Sequence, residues 1–286
     1  MKDRFCIVIP IYKKTLDCTE IMSLERLSKM TEGKGYPIFF IKPKSLDCKG
    51  YYRYIDQNSI REMEFDDKYF KDTKSYSQLC LSYDFYDRFS IYQYMYIYQL
   101  DCYLFEDNLQ YWVDCGYDYI GAPILATSAG WDTFDENKKR WEPRVGNGGF
   151  SLRKIETFKE LTDPNGEFRT YYNIKDELIQ KIIFEDKYFC NDIYDFYELN
   201  VPDWIIASKF AFDMNVDLYK KMFNIDYNPM GVHAWPKNIR HWKDKMEELI
   251  NDPSIVDFCE EKYKDFFKEY YNENNSTIHE SKGEEQ

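Results

Sequence analysis

Phe5-Cys6-Ile7-Val8-Ile9-Pro10 is the stretch on which the fold turns, an unbroken apolar run stopped by a proline. Alternating apolar and polar residues would mark a strand with one wet face. An unbroken run marks a strand covered on both faces, as the strands of parallel sheets are. Pro10 ends the ladder because it has no N–H to donate. A chain that opens with a central strand is expected to continue as alternating β and α, which predicts an α/β fold with a mostly parallel central sheet flanked by helices.

Working outward, Ile21, Leu24, Leu27 and Ser28 share one helical face, predicting a helix from Thr19 or Glu20 to Met30 that is closed by Gly33 and Gly35. Ile38-Phe39-Phe40-Ile41 reads as the second strand, and residues 44–75 give no clear element. Apolar residues at 79, 83, 86 and 89 predict one helix of about three turns starting at Ser77. Tyr94 to Leu100 is the clearest strand, and it delivers Asp101 to a strand's carboxyl end, where open α/β sheets bind ligands. Asp107 is expected to cap a short helix carrying Leu109, Trp112 and Val113, and Tyr119-Ile120-Gly121-Ala122-Pro123 is a further strand.

Residues 126–144 form a polar stretch with Trp131 and Trp141, expected to be a binding loop. Beyond it, helices are expected from Arg153 to about Leu161 and from Asp176 to Phe189, the latter carrying Glu185-Asp186 near its end. Pro229 to Pro236 is a tight segment, and helices at about 238–250 and 254–271 close the fold. No linker divides the chain, so residues 1–272 are expected to form one domain and the polar residues 273–286 a disordered tail.

Composition bounds the function. With 44% hydrophobic and 31% charged residues the chain is globular, and a net charge of −13 argues against nonspecific nucleic-acid binding, which needs Lys and Arg to neutralise phosphate. No run of 18 apolar residues exists, so no transmembrane segment is expected, although peripheral membrane association is left open. The apolar start is too short for an export signal, and the 8 cysteines show no metal-ligand spacing. Reduced, mostly buried thiols and a cytoplasmic location are therefore expected.

Gly146, Gly148 and Gly149 crowd into Val145-Gly146-Asn147-Gly148-Gly149-Phe150-Ser151-Leu152-Arg153. Glycine there serves a positive φ, a close approach of backbone to a ligand, or simply a turn before a strand. Set beside Asp101, Glu185-Asp186 and His233, the turn suits group transfer from a diphosphate-linked donor. Asp101 and His233 would hold a divalent cation (Mn2+ or Mg2+) on the diphosphate, and Glu185 or Asp186 would take a proton from an attacking hydroxyl. Arg153 is a candidate partner for phosphate.

These segments also carry a resemblance. Ile7 to Tyr12, Tyr98 to Cys102, Tyr119 to Pro123, Val145 to Arg153, Glu185-Asp186 and Gly231-Val232-His233-Ala234-Trp235 occur in the order found in GT-A-fold glycosyltransferases. The sequence most resembles a bacterial family of short, largely uncharacterised members sharing the GAP and GNGGFSLR strings. The resemblance implies a single GT-A-like, Rossmann-like domain plus C-terminal helices. It implies Tyr12 near the nucleotide base, Asp101 in place of the metal-binding DxD motif, Asp186 as the base of an xED motif, and His233 as a late metal ligand. The DxD positions read Gln99-Leu100-Asp101, with a single carboxylate, which puts metal dependence in question.

An xED base implies inversion, and the implied substrates are a nucleotide-sugar donor and a glycan or lipid-linked acceptor in surface-glycan biosynthesis. Gln99, Gly146, Asn147, Gly148 and Gly149 are expected beside the substrates. Two rivals stand. A nucleotidyltransferase would need a glycine-rich loop after the first strand, where this chain has Ile11-Tyr12-Lys13-Lys14. A noncatalytic carbohydrate-binding protein would use Trp131, Trp141 and Trp235 as platforms.

Overall fold

The computed structural model describes residues 3–125, 134–135, 140–193, 197–214, 216–224 and 228–267. Its centre is a sheet of six strands: β1 (Asp3–Pro10), β2 (Ile38–Pro43), β3 (Ile60–Phe65), β4 (Tyr92–Tyr98), β5 (Tyr119–Gly121) and β6 (Phe150–Lys154). Across the sheet they run β3-β2-β1-β4-β6-β5. β1 lies parallel to β2 and β4, and β2 parallel to β3. Only β6 runs against its neighbours, β4 and β5. The opening run is central as expected, with Cys6, Ile7, Val8 and Ile9 all 0% exposed.

The first helix spans Cys18–Thr31 and begins with a reciprocal cap: Asp17 accepts from the backbone of Thr19 and Glu20, and Glu20 accepts from the backbone of Asp17. Three expectations need correction. β3 lies in the stretch that gave no clear element; it is an edge strand whose Arg61, Glu62 and Glu64 face solvent, so no apolar run announces it. The helix expected from Ser77 is two, Thr73–Cys80 and Tyr83–Asp87, broken where Leu81 and Ser82 leave helical geometry. Asp176 to Phe189 is not continuous either. Asp176–Ile179 stops, and a new turn, Glu185–Lys187, runs on as a π-helix through Tyr188–Asp192. Glu185 and Asp186 therefore begin a helical segment.

A second, smaller core gathers three short strands, Tyr103–Leu104, Ala211–Phe212 and Gly231–Val232, with the closing helices. Gly231–Val232 is the middle strand, parallel to Ala211–Phe212 and antiparallel to Tyr103–Leu104. That pairing draws the chain after Asp101, the chain after Phe212 and the chain before His233 to one place. The closing helices are shorter than the periodicity suggests, at Ile239–Trp242, Glu247–Asn251 and Ser254–Lys262. Trp131 and the tail at 273–286 lie outside the described residues. All eight cysteines are free and six of them are buried.

Candidate active site

A cleft of about 400 Å³ opens at the carboxyl ends of β1 and β4, lined among others by Pro10, Tyr12, Tyr76, Gln99, Asp101 and Tyr263. This is where a parallel sheet leaves unpaired backbone and a crevice for ligand. Tyr12, just past β1, is 56% exposed and turns its ring into that space. Lys262 reaches the cleft from the end of the helix Ser254–Lys262 and bonds Asp17 at 2.7 Å, so the far end of the chain walls the cleft against the first helix.

At the inner end of the cleft the three converging strands assemble a polar cluster. His233 Nε2 lies 3.3 Å from Asp101 Oδ1 and 3.3 Å from Gln99 Oε1, and its Nδ1 lies 3.1 Å from Asp213 Oδ1. Burial opposes a charged imidazole here, but Asp101 and Asp213 on either side more than reverse it and raise the His233 pKa to about 10. Asp101, facing that imidazole, is held below its ordinary value although burial opposes this. The oxygens of Asp101 and Gln99, and the Nε2 of His233 once its proton is displaced, are the kinds of donor that divalent cations take. Asp213 on the second ring nitrogen fixes the ring's orientation, as carboxylates behind metal-bound histidines do. Cys102 Sγ is close enough to Asp101 and His233 for all three ligand atoms to fall within 4.8 Å. Its thiol is committed elsewhere, donating to Gly149 O at 3.2 Å, and burial pushes its pKa well up, so the groups here that could hold a cation are oxygen and nitrogen.

The glycine turn packs against this cluster. Neither Gly148 nor Gly149 has a positive φ; among the described glycines that conformation belongs to Gly33, Gly35 and Gly116. Close approach is the reason instead, and what approaches is the site's own side chains. A Cβ on Gly149 would stand 2.3 Å from His233 Nε2, and one on Gly148 would stand 2.7 Å from Glu185 Oε1. Asn147 locks the turn: its Oδ1 accepts from the backbone N–H of Gly149 and Phe150, and its Nδ2 donates to Asp213 at 3.2 Å. Gly146 is held from behind, its carbonyl accepting from the Tyr119 hydroxyl at 2.8 Å.

On the other side of the turn stands Asp186. Its two oxygens accept from the backbone N–H of Gly148 at 3.1 Å and of Lys187 at 2.7 Å. Desolvation, then the neighbouring Glu185, raise its pKa to about 7, against the lowering effect of those two N–H donors and of Arg153.

Several side chains singled out in the sequence serve other ends. Arg153 is 0% exposed, and its guanidinium bonds Glu185 at 2.9 Å and the Tyr86 hydroxyl at 3.0 Å, so it is buried structure and not a phosphate clamp. Glu185 is 6% exposed and its second oxygen accepts from Ser77 at 2.7 Å, which leaves Asp186 as the available carboxylate of the pair. Trp235 is 0% exposed and donates its indole N–H to Ser23 at 3.0 Å; packed in the smaller core, it offers no platform to a sugar. Asp213, Lys262 and Tyr263 are the residues that sequence reasoning missed. Asp213 carried a usable signal, because it ends the apolar run Phe210-Ala211-Phe212 just as Asp101 ends β4.

A family profile described as "Protein of unknown function (DUF5672)" matches residues 59–233. The chain belongs to this family. The matched stretch runs from the edge strand β3 to His233 and holds Asp101, the glycine turn, Asp186 and Asp213. No curated protein matches the chain. Among solved structures, mouse xyloside xylosyltransferase 1 in its apo form superposes with a TM-score of 0.55 at 12% identity, over 82% of this chain and 97% of that one. The glycosyltransferase GlyE of Streptococcus pneumoniae gives 0.47 at 12% identity over 82% and 55%. Core-mannan synthase A of Aspergillus fumigatus, in its Mn/GDP form, gives 0.44 at 9% identity over 65% and 67%. The mixed α/β fold, with its mostly parallel sheet flanked by helices, is thus one that the mouse xylosyltransferase shares.

Proposed function

We propose that this chain is an inverting glycosyltransferase that moves a sugar from a nucleoside diphosphate donor to an acceptor hydroxyl. The observation that carries the reading is the glycine turn with chemistry on both sides: Gln99 and His233 against Gly149, with Asp101 beside His233, and the partly exposed Asp186 against Gly148. In this reading the nucleotide occupies the cleft with its base beside Tyr12, and the diphosphate lies toward Asp101. A divalent cation, Mn2+ or Mg2+, held by Asp101, His233 and Gln99 would offset the charge of the departing diphosphate. Asp186 removes the acceptor hydroxyl's proton as that oxygen bonds the anomeric carbon and the bond to the diphosphate breaks. A carboxylate whose pKa lies near 7 is matched to this work at neutral pH.

The acceptor is a glycan or lipid-linked hydroxyl, with surface-glycan assembly the setting. No helix among the described residues is long and apolar enough to cross a membrane. The burial of Trp235 weighs against a carbohydrate-binding protein built on tryptophan platforms. The deciding experiment is a screen of nucleotide sugars for hydrolysis or transfer by the wild-type chain and by Asp186→Asn. Donor turnover by the wild type, with binding but no turnover by the variant, supports the reading. Turnover of no nucleotide sugar, or equal turnover by both, removes it.

A further inference from the structure

Burying an ion pair seldom stabilises a protein, because desolvation of both charges offsets their attraction. The pair between Arg153 and Glu185, 0% and 6% exposed, therefore asks for a reason other than stability. Its surroundings supply one. Arg153 Nη2 contacts both Glu185 Oε1 at 2.9 Å and the carbonyl of Gly148 at 3.4 Å. Its Nε donates to Ser151 Oγ at 3.2 Å, and that hydroxyl in turn donates to the same Gly148 carbonyl at 2.8 Å. Gly148 then donates its N–H to Asp186, and Glu185 precedes Asp186 in the chain. Beside the Lys187 N–H, two routes hold Asp186, through the backbone of residue 185 and through Gly148, and both lead to one guanidinium.

We propose that the buried Arg153–Glu185 pair positions and tunes Asp186, fixing its orientation through Gly148 and its readiness to ionise through two opposed charges. The proposal rests on Asp186 as the proton acceptor for its purpose, but not for its measurement. Facing Asp186 are the Glu185 carboxylate, the Arg153 guanidinium, the N–H groups of Gly148 and Lys187, and the buried Cys80, Cys190 and Tyr119, which burial keeps protonated. The Lys187 ammonium is turned away onto Asp192 at 2.5 Å. Glu185 is thus the negative neighbour and Arg153 the positive one, with opposite effects on the same carboxyl group. The helix Thr73–Cys80 ties the device to the cleft, since Tyr76 lines the cleft and Ser77, one residue on, bonds Glu185.

The test is a titration of the Asp186 side-chain carbon by NMR in the full chain labelled at aspartate, with Asp186→Asn identifying the resonance. Glu185→Gln keeps the shape and removes the negative charge; it is expected to lower the Asp186 pKa by about one unit. Arg153→Met is expected to raise it, and Arg153→Lys to restore it toward the wild-type value. Should Arg153→Met fail to fold, as judged by circular dichroism, Glu185→Gln and Arg153→Lys decide. A folded Glu185→Gln protein in which Asp186 titrates unchanged or higher overturns the proposal. Because the titration needs no substrate, this outcome is separate from the fate of Asp186 in turnover: a shifted Asp186 in a chain whose Asp186→Asn variant still turns over would remove the base and leave the tuning.

Discussion

Gly149 lays its bare α-carbon against His233, so that a single added methyl would stand 2.3 Å from Nε2 and 2.8 Å from Gln99 Oε1. The imidazole cannot swing aside freely, because its other nitrogen is bonded to Asp213. Gly149→Ala should therefore displace His233 and the neighbouring donors and cut turnover roughly 100-fold, the usual cost of about 1 Å of misplacement at a reacting centre. A thermal melt beside the rate separates the possibilities. A variant that simply unfolds would show that the turn is packing and nothing more.

Asp213 should matter for cation affinity without touching the ion. Asp213→Asn leaves His233 without its charged partner, and affinity for Mn2+ should fall about 10- to 100-fold, while Asp101→Ala should abolish it. Calorimetric titration of the three proteins with manganese checks this, and equal affinities in all three would take the cation away from this cluster.

Asp186 sets a pH dependence whose sign can be worked out. Its pKa in the folded chain is raised to about 7, so turnover should climb as pH passes through that value and the carboxylate forms. Asp186→Asn should flatten the climb and lower turnover by roughly 10²–10⁴. Stability runs the other way. A raised folded-state pKa contributes stability that is present below the unfolded value near 4 and lost as pH rises through about 7. Wild-type protein should thus lose melting temperature relative to Asp186→Asn between pH 4 and pH 7, and parallel curves would contradict the raised value.

Trp235→Ala should act on the fold. Removing a fully buried indole and its bond to Ser23 should cost about 3–5 kcal/mol in urea unfolding. A variant as stable as wild type with weakened sugar binding would restore Trp235 as a platform.

Tyr12→Ala should do the reverse. With its ring 56% exposed it contributes little to the core, and loss of a base-stacking surface should weaken nucleoside diphosphate binding by about 1–3 kcal/mol at unchanged stability. Fluorescence or calorimetric titration with UDP and GDP reads the effect.

The central strands were legible because burial on both faces writes itself into sequence as unbroken apolar runs, as in Cys6 to Ile9 and Tyr94 to Ile97. β3 was not, because an edge strand that turns Arg61, Glu62 and Glu64 to solvent has no such run. Asp101 and His233 were found by position and resemblance, but the pairing of Gly231–Val232 with two other short strands, which joins them, is a long-range event no local pattern shows. Arg153 and Glu185 misled for a related reason. A charge in the sequence reads as a ligand for something outside, and only the fold reveals that each is the other's partner.

The tie between Lys262 and Asp17 joins two parts of the chain that flank the family's matched stretch, 59–233. Of the residues that wall the cleft, Tyr12, Lys13, Glu20, Lys262 and Tyr263 fall outside that stretch, whereas Tyr76, Gln99 and Asp101 fall inside it together with Gly149, Asp186 and His233. The cleft is thereby assembled from the matched stretch together with both of its flanks. On the proposed reading, exchange of the two flanks between members of the family would alter part of the nucleotide's cleft while leaving Asp101, Gly149, Asp186 and His233 in place.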